Sequence, residues 1–249
     1  MKSFHARIKV FNLWWWMYVV LTFLLLAVVT AAGNTRSMDE RYRLVLGLSI
    51  AELLILRLYK FSLKNIREDY NYYNELPCYL CNQSTLLCIL ASVTRSIPVM
   101  AFCVSIGTLG AVLAYVMPDS YNRDQLVFSK QAYGFYGYHG LLIVTCLSFY
   151  TLHLYEPVLR DCLWAPVGTL ILAGIGHIIN TYLHNTGLNK KANYVYTYTP
   201  ENKILQTMWN LFPVKMWYML PVLPIFTVYS FLFFLVLRIL RALIIILCG

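Results

Sequence analysis

The sequence predicts an all-α polytopic membrane protein, a bundle of about seven transmembrane helices. Three observations carry this expectation. Apolar residues make up 59% of the 249 positions and charged residues only 12%, against about 45–50% and about 25% in soluble domains. The apolar runs repeatedly approach the roughly 20 residues that a helix needs to cross a hydrocarbon layer. They do not alternate with period two, as strands of a membrane barrel would. No repeat or low-complexity stretch breaks the pattern, so residues 1–249 read as one transmembrane domain.

The first predicted helix is residues 11–32. Residues 1–10 form a basic tail with Lys2, Arg7 and Lys9, and tail plus helix imitate a signal peptide. The apolar run is about 20 residues, however, against about 7–15 for a cleaved leader, so it reads as an uncleaved helix. Trp14, Trp15, Trp16 and Tyr18 fit an interfacial aromatic belt. The second helix, 42–60, is the least apolar because it holds Glu52 and Arg57. Arg57 can snorkel towards the face of Lys60, whereas Glu52 calls for a basic residue or a histidine on another helix. The third helix, 77–94, opens on "LPCYLC", with Pro77 at the first helical position, where its missing N–H has no helical partner to lose. The fourth to seventh helices are 97–117, 134–155, 162–184 and 216–236. Residues 237–249 either extend the last helix or lie along the interface.

Charge sets the expected orientation. The net charge is +9, and 12 of the 20 Lys and Arg residues fall on the face holding the N-terminus, against seven on the other. That bias puts the N-terminus in the cytoplasm. Basic residues beside spans meet lipid head groups, so the charge implies membrane lipids as partners and no nucleic acid. Lys190, Lys191 and Lys203 fit a topology signal or phosphate contacts. The membrane is the plasma membrane for a bacterial source, and the endoplasmic reticulum or another endomembrane for a eukaryotic one. The seven cysteines lie mostly inside spans and are odd in number, which excludes a secreted disulfide framework. Asn82-Gln83-Ser84 matches the glycosylation pattern, but inside a predicted span.

Polar residues within spans are costly, and each is a functional candidate. At about 1.5 Å per residue, Cys81 lies about 6 Å below the N-terminal face, His139 about 7.5 Å, Asn180 about 6 Å and His177 about 10 Å, so residues from three helices share one layer. Cys78, Cys81, Thr85, Cys88 and Ser92 trace one helical stripe, and His177, Asn180 and His184 another. In the first turns of a helix the dipole favours a thiolate at Cys81, while desolvation opposes it. An imidazole such as His139 accepting the thiol proton makes an activated nucleophile, and Asn82, Asn180 or backbone amides suit an oxyanion. Four other readings stay open: small residues packing between helices, a zinc clip of Cys78, Cys81 and two histidines, a thiol redox pair, and a transporter using Glu52.

"LPCYLC" at 76–81, "GYHG" at 137–140 and "NYVYTYTP" at 193–200, in this order and in a seven-span setting, resemble the YwaF-like family of integral membrane proteins, which includes the transmembrane protein 164 group. The resemblance runs from about the second span to the last. Where the family usually has Leu-Pro-Leu-His-Leu-Cys, this chain has Cys78 and Tyr79 in place of the middle Leu-His, while Cys81 and His139 are kept. The eukaryotic group is implicated in moving acyl chains between phospholipids. The resemblance therefore implies acylation of Cys81, proton removal by His139, and site support from Asn193 and Tyr194, which with Pro200 match the family's Asn-Tyr and following Pro. Phospholipid and lysophospholipid become the implied substrates, and no metal or cofactor is required. The expected function is a lipid acyltransferase or lipid ester hydrolase working through a thioester, with a transporter or a structural membrane protein as the alternative.

Overall fold

The computed structural model describes residues 6–64, 70–118 and 122–248. Lys2 of the basic tail and the side chain of Cys248 lie outside the described residues. We number the helices α1 (Leu13–Asn34), α2 (Met38–Leu63), α3 (Leu80–Thr94), α4 (Ile97–Val116), α5 (130–151), α6 (Trp164–Asn185), α7 (Lys203–Leu211) and α8 (Val222–Cys248). Among the described residues the remaining regular structure is short 3₁₀ turns and one antiparallel bridge between Arg7 and Leu126.

A helix lies over each of the seven expected segments, and α7 is additional. Four segments are long and apolar enough to cross a membrane: Leu13–Asn34, Ile97–Val116, Leu159–Asn185 and Trp217–Ile244. The protein is therefore an all-helical, multi-pass membrane protein. The other segments differ for physical reasons. α3 has 15 residues, or about 22 Å of helix; α2 carries Glu52, Arg57 and Lys60; α5 is diluted by tyrosines, His139 and hydroxyl side chains. Outward-facing side chains such as Val20, Phe23 and Leu24 on α1, and Ile225, Val228 and Leu232 on α8, are exposed. A soluble monomer avoids continuous apolar surface of this kind, whereas lipid tails accept it.

The chain forms two compact units: Met1–Tyr70 with Ser84–Glu156, and Asn71–Gln83 with Pro157–Gly249. The first is organised around α5, which packs against α1, α2 and α4. From Tyr138 to Phe149 nearly every α5 residue is buried. Gly140 permits the close approach: a β-carbon there would stand 2.6 Å from both Thr22 Oγ1 and the Tyr115 hydroxyl. Those two hydroxyls lie 3.0 Å apart, and Trp15 Nε1 donates to the Tyr115 carbonyl at 2.9 Å. Helix starts are set by side chains that satisfy otherwise orphaned N–H groups: Asn12 accepts from Trp15, and Ser129 from Ala132. At α2 the Ser37 backbone N–H and hydroxyl both donate to the Glu40 carboxylate, at 2.9 and 2.7 Å.

In the second unit α6 packs against α8 and the 3₁₀ turn Leu159–Leu163. The short helix α7 is capped by Asn202, whose side chain accepts from the Leu205 N–H at 2.9 Å. It buries Leu205 and Met208 against Tyr218. Those two residues stand at i and i+3, the spacing of one apolar stripe.

Candidate functional site

Cys81 stands in the first turn of α3. The first helical bond runs from the Gln83 N–H to the Tyr79 carbonyl at 2.9 Å, so the helix begins two residues after Cys78. Pro77 and Cys78 form a turn instead of the expected first helical positions, because the Cys78 N–H is taken by the Leu76 carbonyl at 2.8 Å. Cys78 consequently leaves the predicted helical stripe, and its side chain packs in an apolar cluster with Leu183, Ala192 and Tyr194. Of the six cysteines whose side chains are described, Cys81 alone is not buried. Asn82 follows it, buried.

Tyr194 and Asn180 build the support for this turn. The Tyr194 hydroxyl donates to the Tyr73 carbonyl and accepts from the Leu76 N–H, the latter at 3.3 Å. Its ring meets Tyr79 edge-on at 5.0 Å. Burial pushes the Tyr194 phenol well above its ordinary titration range, so it stays a neutral donor. Tyr194 is held in turn by Asn180, which is fully buried on α6. Asn180 Oδ1 accepts the Tyr194 N–H at 2.9 Å, and Nδ2 donates to the Tyr194 carbonyl at 3.0 Å and to Thr197 Oγ1 at 2.9 Å. Both polar atoms of Asn180 are thereby committed to the loop. Asn193 works as a second staple. Its Oδ1 accepts the N–H groups of Tyr198 and Thr199, and its Nδ2 donates to Glu201 at 2.8 Å.

The staples hold an unfavourable backbone. Val195 and Tyr196 have φ of 53° and 56°, the left-handed region that bulky and β-branched residues avoid. Gly176 lets the loop lie close on α6: a β-carbon there would meet Val195 Cγ2 at 3.2 Å and the Tyr194 carbonyl at 3.4 Å.

Residues further along the loop went unread in the sequence. Tyr198 stacks on His184 at 4.3 Å, lies 5.4 Å from the His177 ring, and carries the Lys215 ammonium 3.9 Å above its face. The His177–Asn180–His184 stripe was the available signal; Tyr198 and Lys215 are remote from it in sequence. His177 Nδ1 is buried without a hydrogen-bond partner among the described residues.

His139 lies at the start of the regular part of α5, directly after a π-helical turn, Tyr133–Gly137. Such turns often mark functional positions. Its Nδ1 is 2.8 Å from the Phe135 carbonyl. A carbonyl can only accept, so Nδ1 carries the proton in the neutral ring, and Nε2 holds the lone pair that a general base needs.

Elsewhere in the first unit a polar layer surrounds Glu52. Thr85 donates to the Glu52 carboxylate and lies 2.9 Å from the Tyr138 hydroxyl. The expected basic or histidine partner of Glu52 is replaced by a neutral hydroxyl, because α3 and α5 present Thr85 and Tyr138 at this level. Cys88 and Cys146 place their sulfurs 3.6 Å apart. Among the described residues no group of three or more His, Cys, Asp or Glu is arranged to hold a metal ion.

The TMEM164 family model matches residues 5–238, nearly the whole chain. No curated protein and no solved structure matches it.

Proposed function

The chain belongs to the TMEM164 family of membrane proteins, and from that premise we propose that it is a lipid acyltransferase or lipid ester hydrolase with Cys81 as nucleophile and His139 as general base. It is proposed to be one transmembrane domain of about seven spans, with its N-terminus in the cytoplasm. The observation that carries the reading is the accessibility of Cys81. Among the described cysteine side chains it alone is not buried, and it sits in a first helical turn, where the dipole favours negative charge.

In the proposed reaction the thiol proton passes to His139 Nε2, and sulfur attacks the ester carbonyl of a phospholipid. The carbon–sulfur bond forms and the ester carbon–oxygen bond breaks. His139 returns the proton to the leaving lysolipid alkoxide. A lysophospholipid hydroxyl or water then attacks the thioester, and the thiol is restored. Asn82 is the proposed oxyanion donor. Asn180, Asn193 and Tyr194 are positioning residues that hold the turn before Cys81, and His177 supports the site beside Tyr198.

Purified protein incubated with phospholipid labelled in the acyl chain should acquire a hydroxylamine-sensitive label. Cys81→Ser should abolish it, and His139→Gln should slow it by about 10²–10⁴-fold, the usual worth of a positioned base. An adduct of equal yield on Cys81→Ser would sink the proposal.

One observation favours a second reading, a proton-coupled transporter. Glu52 is fully buried and its Oε2 has no hydrogen-bond partner among the described residues, as a proton-carrying intramembrane carboxyl would be. Proton flux into liposomes holding the purified protein, abolished by Glu52→Gln, would support it; equal flux in both would remove it.

A further inference from the structure

The hairpin between α1 and α2 carries a charge arrangement that the chemistry above does not use. Four arginines cluster at this end of the first unit: Arg36, Arg41, Arg43 and Arg95. Two are consumed by the fold. Arg41 donates to three backbone carbonyls, of Asn34, Arg36 and Leu152, each at 3.0 Å. Arg95 pairs with Asp39 at 2.6 Å and lies over the Tyr42 ring at 4.7 Å. The other two, Arg36 and Arg43, are exposed, and no described residue bonds or pairs with either guanidinium. Both line one open groove of about 490 Å³, together with Glu40, Leu44, Gly47 and Leu48. Glu40, hydrogen-bonded by Ser37, also lies within electrostatic reach of Arg43 and Arg36 and offsets one of the two charges, so the three residues keep a net positive charge.

The groove has two ends of different chemistry. Arg43 and Gly47 are four residues apart on α2, as are Leu44 and Leu48, so charge and apolar strip share one helix face. The strip extends about 6–7.5 Å along the axis from Arg43. Gly47 is its floor. Glycine in a helix interior is unfavourable relative to alanine, and nothing within the protein demands it here. A β-carbon at this position would meet no atom within 4 Å, and its φ lies outside the left-handed range. What the missing side chain provides is open space.

We infer that this groove holds one anionic phospholipid, its phosphate on Arg36 and Arg43 and the start of an acyl chain on Leu44, Gly47 and Leu48. The charge is complementary. Guanidinium groups match phosphate oxygens with paired N–H donors. A free anion would use the arginines alone and leave the glycine-floored strip without purpose.

The inference goes beyond the acyl-transfer reading, and its test needs no turnover. The full chain in neutral detergent micelles is titrated with fluorescent phosphatidylglycerol. Unlabelled phosphatidylglycerol, phosphatidylcholine and inorganic phosphate serve as competitors. Arg36→Gln with Arg43→Gln should weaken binding about tenfold or more, given two lost charge-assisted contacts. Gly47→Phe, which meets no protein atom at its β-carbon, should weaken it comparably with an unchanged melting temperature. Arg95→Gln removes the same charge from the same end and should leave affinity within about twofold, because its guanidinium is already engaged. Wild-type affinity in both the double arginine variant and Gly47→Phe overturns the assignment. Equal weakening by Arg95→Gln overturns it in favour of diffuse attraction. Displacement by inorganic phosphate as effective as by lipid makes this a free-anion site, and equal displacement by phosphatidylcholine removes the anionic specificity.

Discussion

Asn180→Leu tests whether the loop before the last spans is clamped as the geometry indicates. Leucine keeps the branched four-atom skeleton of asparagine, with bulkier methyl ends, and removes three hydrogen bonds of 2.9–3.0 Å. The losses are unequal. The Tyr194 carbonyl keeps the Thr197 N–H at 3.3 Å, so its share is small. The Tyr194 N–H has only Asn180 Oδ1 and becomes an orphan in a fully buried place, which costs about 1–3 kcal/mol. The bond to Thr197 Oγ1 adds about 1 kcal/mol. The left-handed pair Val195 and Tyr196 then relaxes and lowers the total slightly, leaving about 2–4 kcal/mol. For a chain of this size that is an apparent melting temperature lower by about 5–15 °C, readable by size-exclusion with fluorescence detection after heating. Asn180→Asp should be no better, since it puts an acceptor against the Tyr194 carbonyl. A melting temperature for Asn180→Leu within about 1 °C of wild type would refute the clamp.

Two further outcomes follow from the first unit. Thr85→Val keeps shape but takes the hydroxyl from the Glu52 carboxyl and from Tyr138; it should destabilise by about 2–4 kcal/mol as two buried groups lose a partner, and Glu52→Gln in the same background should recover part of the loss, measured by the same thermal assay. At the α2 start, the Ser37 bonds hold Glu40 below the usual carboxylate range. A depressed folded-state value means stability that is complete above the unfolded value, near 4.5, and is lost as pH falls through the folded one. The melting-temperature gap between wild type and Glu40→Gln should therefore narrow on going from about pH 6 to about pH 3, and a gap that widens would refute the sign.

Apolar run length was enough to locate all seven expected helices, because burial in lipid or protein rewards the same residues at every turn. Where the prediction fell short, the deciding contact was local and polar. Pro77 suits a helix start in isolation, yet the Leu76 carbonyl takes the Cys78 N–H and delays the helix to Leu80. The helix at Lys203–Leu211 was hidden by its brevity; the Asn202 cap and the Leu205/Met208 spacing were its only signals. Asn180, Asn193 and Tyr194 stand out in the sequence, but the partners they have in the fold do not. Asn180 reaches 14 residues along the chain to bond the Tyr194 backbone, and no periodicity encodes that. Glu52 was read as needing a cation; the sequence shows the charge type of a residue but not which neutral hydroxyl will face it.

The burial of α5 on every side has a consequence for biogenesis. A helix carrying His139, Thr145 and Ser148 is a poor solitary lodger in hydrocarbon. Its packing partners α1, α2 and α4 all precede it in the chain, so each has left the ribosome before α5 begins to emerge. The order of synthesis supplies the walls first and the polar core second. A permuted chain that started at α5 would deliver the same residues with nothing yet present to receive them.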